Sequence, residues 1–108
     1  CSLNYLIESD GDVYPCDFYA LDQWRLGNVR ESNFLRLSGG ETARRFIAES
    51  MSVPDDCRAC RYGALCRNGC RRERDADGKS RWCASVKMLM DARLGRMERL
   101  ARKMARGM

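Results

Sequence analysis

The sequence predicts a small, irregular α+β domain with an N-terminal β-hairpin, short helices, cysteine-rich loops and a long C-terminal helix. Three observations carry that prediction. Apolar residues alternate on both sides of an Asp-Gly turn near the start. Four cysteines, Cys57, Cys60, Cys66 and Cys70, crowd into fourteen positions at mid-chain. Beyond Arg81, apolar residues recur at three- and four-residue steps. The first pattern belongs to paired strands and the last to an amphipathic helix.

The hairpin occupies residues 1–18. Leu3, Tyr5 and Ile7 alternate before Ser9-Asp10-Gly11-Asp12, and Val13-Tyr14 resumes the strand pattern. Glycine after Asp10 accepts the positive φ that tight hairpin turns need. Pro15 confines the returning strand to an edge or irregular pairing. A turn centred on Asp10-Gly11 sets Cys16 opposite Tyr5, four residues or ~13 Å out of register with Cys1. Residues 17–29 mix aromatics with a Gly-Asn turn and read as an ordered loop under a metal site. Ser32 is the expected N-cap of a short helix through Leu37, stopped by Gly39-Gly40. A second helix spans Thr42 to Ser50, with Ala43, Phe46 and Ile47 on one face.

Pro54 and Asp55-Asp56 end that helix and lead into the cysteine run. Residues 71–80 form a charged surface loop turning at Asp77-Gly78. The last helix runs from Arg81 to about Ala105. Val86, Met90, Leu94, Met97, Ala101 and Met104 make its apolar stripe, and arginines and lysines fill the other face. Such a stripe is expected to lie on its own protein rather than on a membrane surface or nucleic acid.

Composition narrows the class. A chain of 108 residues is one domain at most, with a modest core. Charged residues make up 32%, and no apolar run reaches the length of a membrane span. No basic-then-apolar leader is present, and the chain opens on Cys1, so it reads as a piece of a longer protein. The net charge of +5 is uneven: residues 1–56 carry five Arg or Lys against ten Asp or Glu, and residues 57–108 carry fifteen against five. That asymmetry fits nucleic acid or an acidic surface. A plainer account is that the surplus arginines offset thiolates around metal centres, and nucleic acid is not the expected partner.

The seven cysteines are Cys1, Cys16, Cys57, Cys60, Cys66, Cys70 and Cys83. An odd number cannot pair fully as disulfides, and nothing signals an oxidising compartment. Structural zinc accepts four thiolates, although histidine is absent from the chain. Two four-iron clusters need eight ligands, which seven cysteines and one upstream would supply. Iron-sulfur ligation therefore leads, with a zinc-stabilised nucleic-acid-binding module as the alternative from another class. Either way the domain is expected to be metal-stapled, the bound metal adding to a core that is only modest.

Cys1-x9-Gly11-x4-Cys16, then Cys57-x2-Cys60-x5-Cys66-x3-Cys70, then Cys83, resembles the seven-cysteine SPASM domain of radical SAM enzymes. Asp10-Gly11-Asp12-Val13-Tyr14-Pro15-Cys16-Asp17 and Leu26-Gly27-Asn28-Val29 are similar to the anaerobic sulfatase-maturating subfamily, and Trp82-Cys83 leading into a helix fits it. The resemblance covers residues 1–83, with residues 84–108 a helix packing on that domain or on a missing radical SAM domain. It implies two auxiliary four-iron four-sulfur clusters. Cys57, Cys60, Cys66 and Cys83 would hold the second. Cys1, Cys16 and Cys70 would hold the first, with a fourth ligand upstream.

The resemblance further implies a cytoplasmic parent that oxidises a sulfatase cysteine or serine to formylglycine, the clusters accepting electrons. A related possibility is the maturase of another peptide. S-adenosylmethionine and a third cluster would sit in the missing domain, since no Cys-x3-Cys-x2-Cys occurs here. The chain alone should be inactive. Asp17 corresponds to the family aspartate proposed to take the substrate's proton. Strand alternation would turn it away from Cys16, and a plain loop role, accepting backbone N–H groups, is the competing reading. Two departures bear on substrate choice: Asn68-Gly69 stands where Gly-Gly is common, and Phe18 where several members have histidine.

Overall fold

The computed structural model describes residues 1–107. The chain divides into two compact units, residues 1–52 and the residues from Val53 onward. Strands β1 (Leu6–Ile7), β2 (Asp12–Tyr14) and β3 (Gly27–Asn28) form an antiparallel sheet in chain order within the first unit. Both α and β elements are present, as expected.

The hairpin turns differently from its prediction. Leu6 pairs with Tyr14 and Ile7 with Val13, which centres the loop on Asp10. Gly11 takes φ +93°, its N–H donates to the Glu8 carbonyl at 2.9 Å, and Glu8 N–H donates to Asp12 at 2.9 Å. This is a three-residue loop closed by a left-handed residue, and the extra residue shifts the register by one. A Cβ on Gly11 would also lie 2.8 Å from Asn28 Oδ1. Further along, Asn4 N–H donates to the Pro15 carbonyl at 2.7 Å, so the pairing slips again beside the proline. Cys16 therefore lies near Leu3 and Asn4 rather than opposite Tyr5, closer in register to Cys1 than the straight ladder allowed.

Helix α1 (Phe34–Gly39) is capped by Asn33, whose Oδ1 accepts from Arg36 N–H at 3.0 Å. The expected cap was Ser32. With Asn33 as the cap the helix starts one residue later than expected, and its N3 amide is that of Arg36. Helix α2 (Glu41–Ser50) buries Ala43 and Phe46 completely, as its spacing predicted. Phe46 meets Tyr19 and Trp24 edge-on, with ring centroids 5.1 and 5.4 Å away. Leu3 and Cys16 pack against this aromatic cluster, and the Arg45 guanidinium covers the Trp24 ring at 4.6 Å. Edge-to-face rings add specific attraction to their apolar burial.

The second unit contains the one-turn helices α3 (Asp55–Arg58) and α4 (Gly63–Cys66) and the long helix α5 (Cys83–Gly107). A bridge between Arg74 and Ser80 closes the charged loop between α4 and α5. Val86, Met90 and Leu94 of α5 are half-buried. Arg61 and the Tyr62 hydroxyl both bond the Asp91 carboxylate, which docks α5 on the segment between α3 and α4. Past Leu94 the apolar stripe is not covered by this chain: Met97, Leu100 and Met104 are exposed. The periodicity showed which face is apolar, and three-dimensional packing reaches only its first turns. Among the described residues no helix is long and apolar enough to cross a membrane.

Candidate metal centre

Four of the seven cysteines line one cavity in the second unit. Cys57 comes from α3, Cys60 from the turn after it, Cys66 from the end of α4, and Cys83 from the first residue of α5. The cavity holds about 280 Å³, some nine times the ~30 Å³ share of a water molecule. No group of three or more Cys, Asp or Glu among the described residues could hold a single metal ion. The four thiols border this space. Its walls mix Val53, Ala64 and Val86 with the polar Asn68, Lys79 and Ser80.

Local chemistry explains how a short chain reaches this arrangement. Pro54 precedes α3, and its carbonyl accepts from Cys57 and Arg58 N–H groups at 3.0 and 3.2 Å. The Cys60 carbonyl accepts from Gly63 N–H at 2.9 Å, so each cysteine-bearing turn hands on to the next. Arg67, Asn68 and Gly69 follow α4 with φ of 49°, 60° and 57°. Three successive left-handed residues reverse the chain sharply, and glycine and asparagine are the residues that tolerate this at least cost. Asn68-Gly69 in place of Gly-Gly therefore preserves the turn.

Asn68 also ties the turn down. It is 4% exposed. Its amide donates to the Gly78 carbonyl at 2.7 Å and its Oδ1 accepts from Ser80 N–H at 2.8 Å. The Cys57 thiol donates to the same oxygen at 3.8 Å. Asn68 was read only as a departure from a motif. Its left-handed conformation was the missing signal, and Asn-Gly was its trace in the sequence.

Electrostatics around the thiols are mixed. Burial pushes the Cys57 thiol above its ordinary value, the neighbouring Asp56 carboxylate adds to this, and Lys79 opposes it. Metal binding requires thiolate, so loading such a site releases protons. Cys57, Cys60, Cys66, Cys70 and Cys83 are free thiols, the donor set that iron and sulfide take.

The remaining candidates lie elsewhere. Cys70 precedes the 3-10 turn Arg71–Glu73 and does not line the cavity. Cys1 and Cys16 belong to the first unit. There the Cys1 nitrogen lies 2.7 Å from Ser50 Oγ, which donates to the Cys1 carbonyl at 3.1 Å. Asp17 does not point away from Cys16. It opens a 3-10 turn, Asp17–Tyr19, so strand alternation ends before it. Its Oδ1 accepts from the Cys16 thiol at 3.2 Å and from Phe18 N–H at 3.1 Å.

Comparison with known proteins bears on this site. Residues 1–61 match the model of the SPASM family, described as an iron-sulfur cluster-binding domain. A cysteine-type anaerobic sulfatase-maturating enzyme of Clostridium perfringens (strain 13 / Type A) is 45% identical over 76 residues, covering 70% of this chain and 20% of that protein. A serine-type anaerobic sulfatase-maturating enzyme of Klebsiella pneumoniae is 29% identical over 83 residues, covering 77% and 21%. The solved structure of native anSMEcpe with bound AdoMet and Cp18Cys peptide superposes with a TM-score of 0.83 at 36% identity, covering 96% of this chain and 30% of that one. The chain thus spans less than a third of the length of these relatives. It belongs to the SPASM family of iron-sulfur cluster-binding domains and, within that family, is similar to the members found in anaerobic sulfatase-maturating enzymes.

Proposed function

We propose that this chain is the auxiliary-cluster part of a cytoplasmic radical SAM enzyme that oxidises a sulfatase cysteine or serine to formylglycine. The observation that carries the reading is the gathering of Cys57, Cys60, Cys66 and Cys83 from four segments around one cavity. Those four residues would hold one four-iron cluster. Cys1, Cys16 and Cys70 would hold another, on the strength of their motif. When bound, such clusters supply a site that takes up single electrons at a potential set by burial and hydrogen bonding.

The chain's own residues have distinct tasks in this scheme. Asn68 and the left-handed turn orient Cys57 and Cys66. Val53, Ala64 and Val86 supply the apolar part of the cavity wall. Asp17 is proposed as the group that accepts the proton of the substrate side chain. In support, its carboxylate is exposed and both its bonds fall on Oδ1. Higher identity to the cysteine-type relatives than to the serine-type ones favours cysteine as the oxidised residue. S-adenosylmethionine and a third cluster belong, in this reading, to a radical SAM domain in the same protein. The peptide bound to the 36%-identical relative supports a sulfatase-derived peptide as partner.

Iron and acid-labile sulfide analysis of the full-length protein, purified without oxygen, tests the reading. About twelve iron atoms per chain are expected for three four-iron clusters, and about four would leave this domain without any. One zinc without sulfide would favour a zinc-stabilised binding module. With clusters intact, Asp17→Asn should slow formylglycine production, and an unchanged rate would return Asp17 to a loop role.

A further inference from the structure

Lys79 stands on the cavity wall with its backbone held by hydrogen bonds. Its N–H donates to Asp75 Oδ1 at 3.1 Å, and its carbonyl accepts from Asp75 N–H at 2.8 Å. The next residue, Ser80, is held through its N–H by the buried Asn68. With its backbone pinned from both sides, the side chain lines the cavity and its ammonium pairs with the Asp56 carboxylate. The Lys79 side chain is 31% exposed against 63% for Asp56, so the cation is the less screened of the two. Its charge is felt at both Cys57 and Cys83. Those two thiols come from α3 and α5, on either side of the charged loop.

Resting on the function proposed above, we propose that Lys79, aimed by Asp56, raises the reduction potential of the cluster held by Cys57, Cys60, Cys66 and Cys83. Reduction adds one negative charge to the cluster. A fixed cation in a partly water-excluded cavity stabilises the reduced form more than the oxidised form. Asp56 opposes the effect through its own charge while holding the ammonium in place. Lys79 touches neither substrate nor reacting atoms and is a positioning charge.

The test is an anaerobic dithionite titration of the full-length protein, followed by electron paramagnetic resonance of each cluster signal. Lys79→Met should make reduction of one cluster about tenfold less favourable, a shift of ~59 mV to more negative potential. Lys79→Arg, which keeps the charge, should leave the same signal at the wild-type value. An unshifted potential in Lys79→Met, with full iron content, overturns the inference. If Lys79→Met fails to retain iron, Lys79→Gln decides: a negative shift supports the inference and an unshifted potential overturns it. Wild-type protein with only about four iron atoms would instead overturn the underlying functional reading.

Discussion

The two units hold themselves together by different physics. The first, residues 1–52, buries Val13, Tyr14, Pro15, Tyr19, Trp24, Leu37, Ala43 and Phe46. That is an apolar core, small but continuous with a hydrogen-bonded sheet. In the second, the buried residues are Tyr62, Asn68 and Ser80, and α5 buries none among its described residues. Its centre is a thiol-lined cavity stitched by polar contacts. A chain segment that buries so little apolar surface must draw stability from another source. In the proposed function that source is the metal, because binding energy at sites formed only in the folded state is folding energy. The contrast teaches where a small protein can do without a core: where its ligands close the chain instead.

The largest expected effect breaks the second unit alone. Replacing Cys60 with serine should remove about four iron atoms per chain. Amides of α3, α4 and the loop to α5 should then lose protection in anaerobic hydrogen exchange, while β1–β3 and α2 keep theirs. Equal loss in both units would erase the distinction. The converse experiment is Phe46→Ala. It should cost about 3–5 kcal/mol, the usual penalty for emptying a buried aromatic site. Urea unfolding followed by Trp24 fluorescence would measure it, with iron content unchanged at the cavity.

A smaller effect sharpens the account of the polar stitching. Asn68→Ala should cost about 1–3 kcal/mol for each buried group it orphans, read as a lower midpoint of cluster loss in denaturant. Asn68→Gly should cost about 1–2 kcal/mol less than alanine, since glycine removes the left-handed strain. Equal penalties would show that hydrogen bonds alone matter at this turn. Smallest is the ion pair beside the sheet. The Arg25 guanidinium lies 2.6 Å from Asp12 and, with Asn28, holds that carboxyl below its ordinary value. A depressed carboxylate contributes its stability above the unfolded value near ~4 and loses it as pH falls through the folded one. Arg25→Met should therefore slightly lower the first unit's stability at neutral pH, with the gap to wild type closing as pH falls below about 4.

Several features were legible from residues alone because their causes are local. The spacing of Cys57, Cys60 and Cys66 sets them within short turns. Phe46 and Ala43 share a helix face by the 3.6-residue period, and Gly11 marks a turn by its tolerance of positive φ. Local rules failed where two close solutions compete. Asn33 displaced Ser32 as a cap one residue away, and a third loop residue moved the hairpin register. Asp17 curled into a 3-10 turn instead of continuing a strand.

By itself the sequence determined which atoms are available: seven thiols at defined intervals, an apolar stripe on the last helix, and a charge imbalance between halves. The family resemblance already grouped Cys83, thirteen residues beyond Cys70 in the chain, with Cys57, Cys60 and Cys66, and the tertiary structure supplied the cavity that these four line and Cys70 does not. It alone aimed Lys79 at that cavity and left Met97, Leu100 and Met104 uncovered. The reason is range. Spacing constrains neighbours through backbone geometry, whereas residues distant in sequence meet only after loops close, and the direction of closure rests on the sum of many weak contacts.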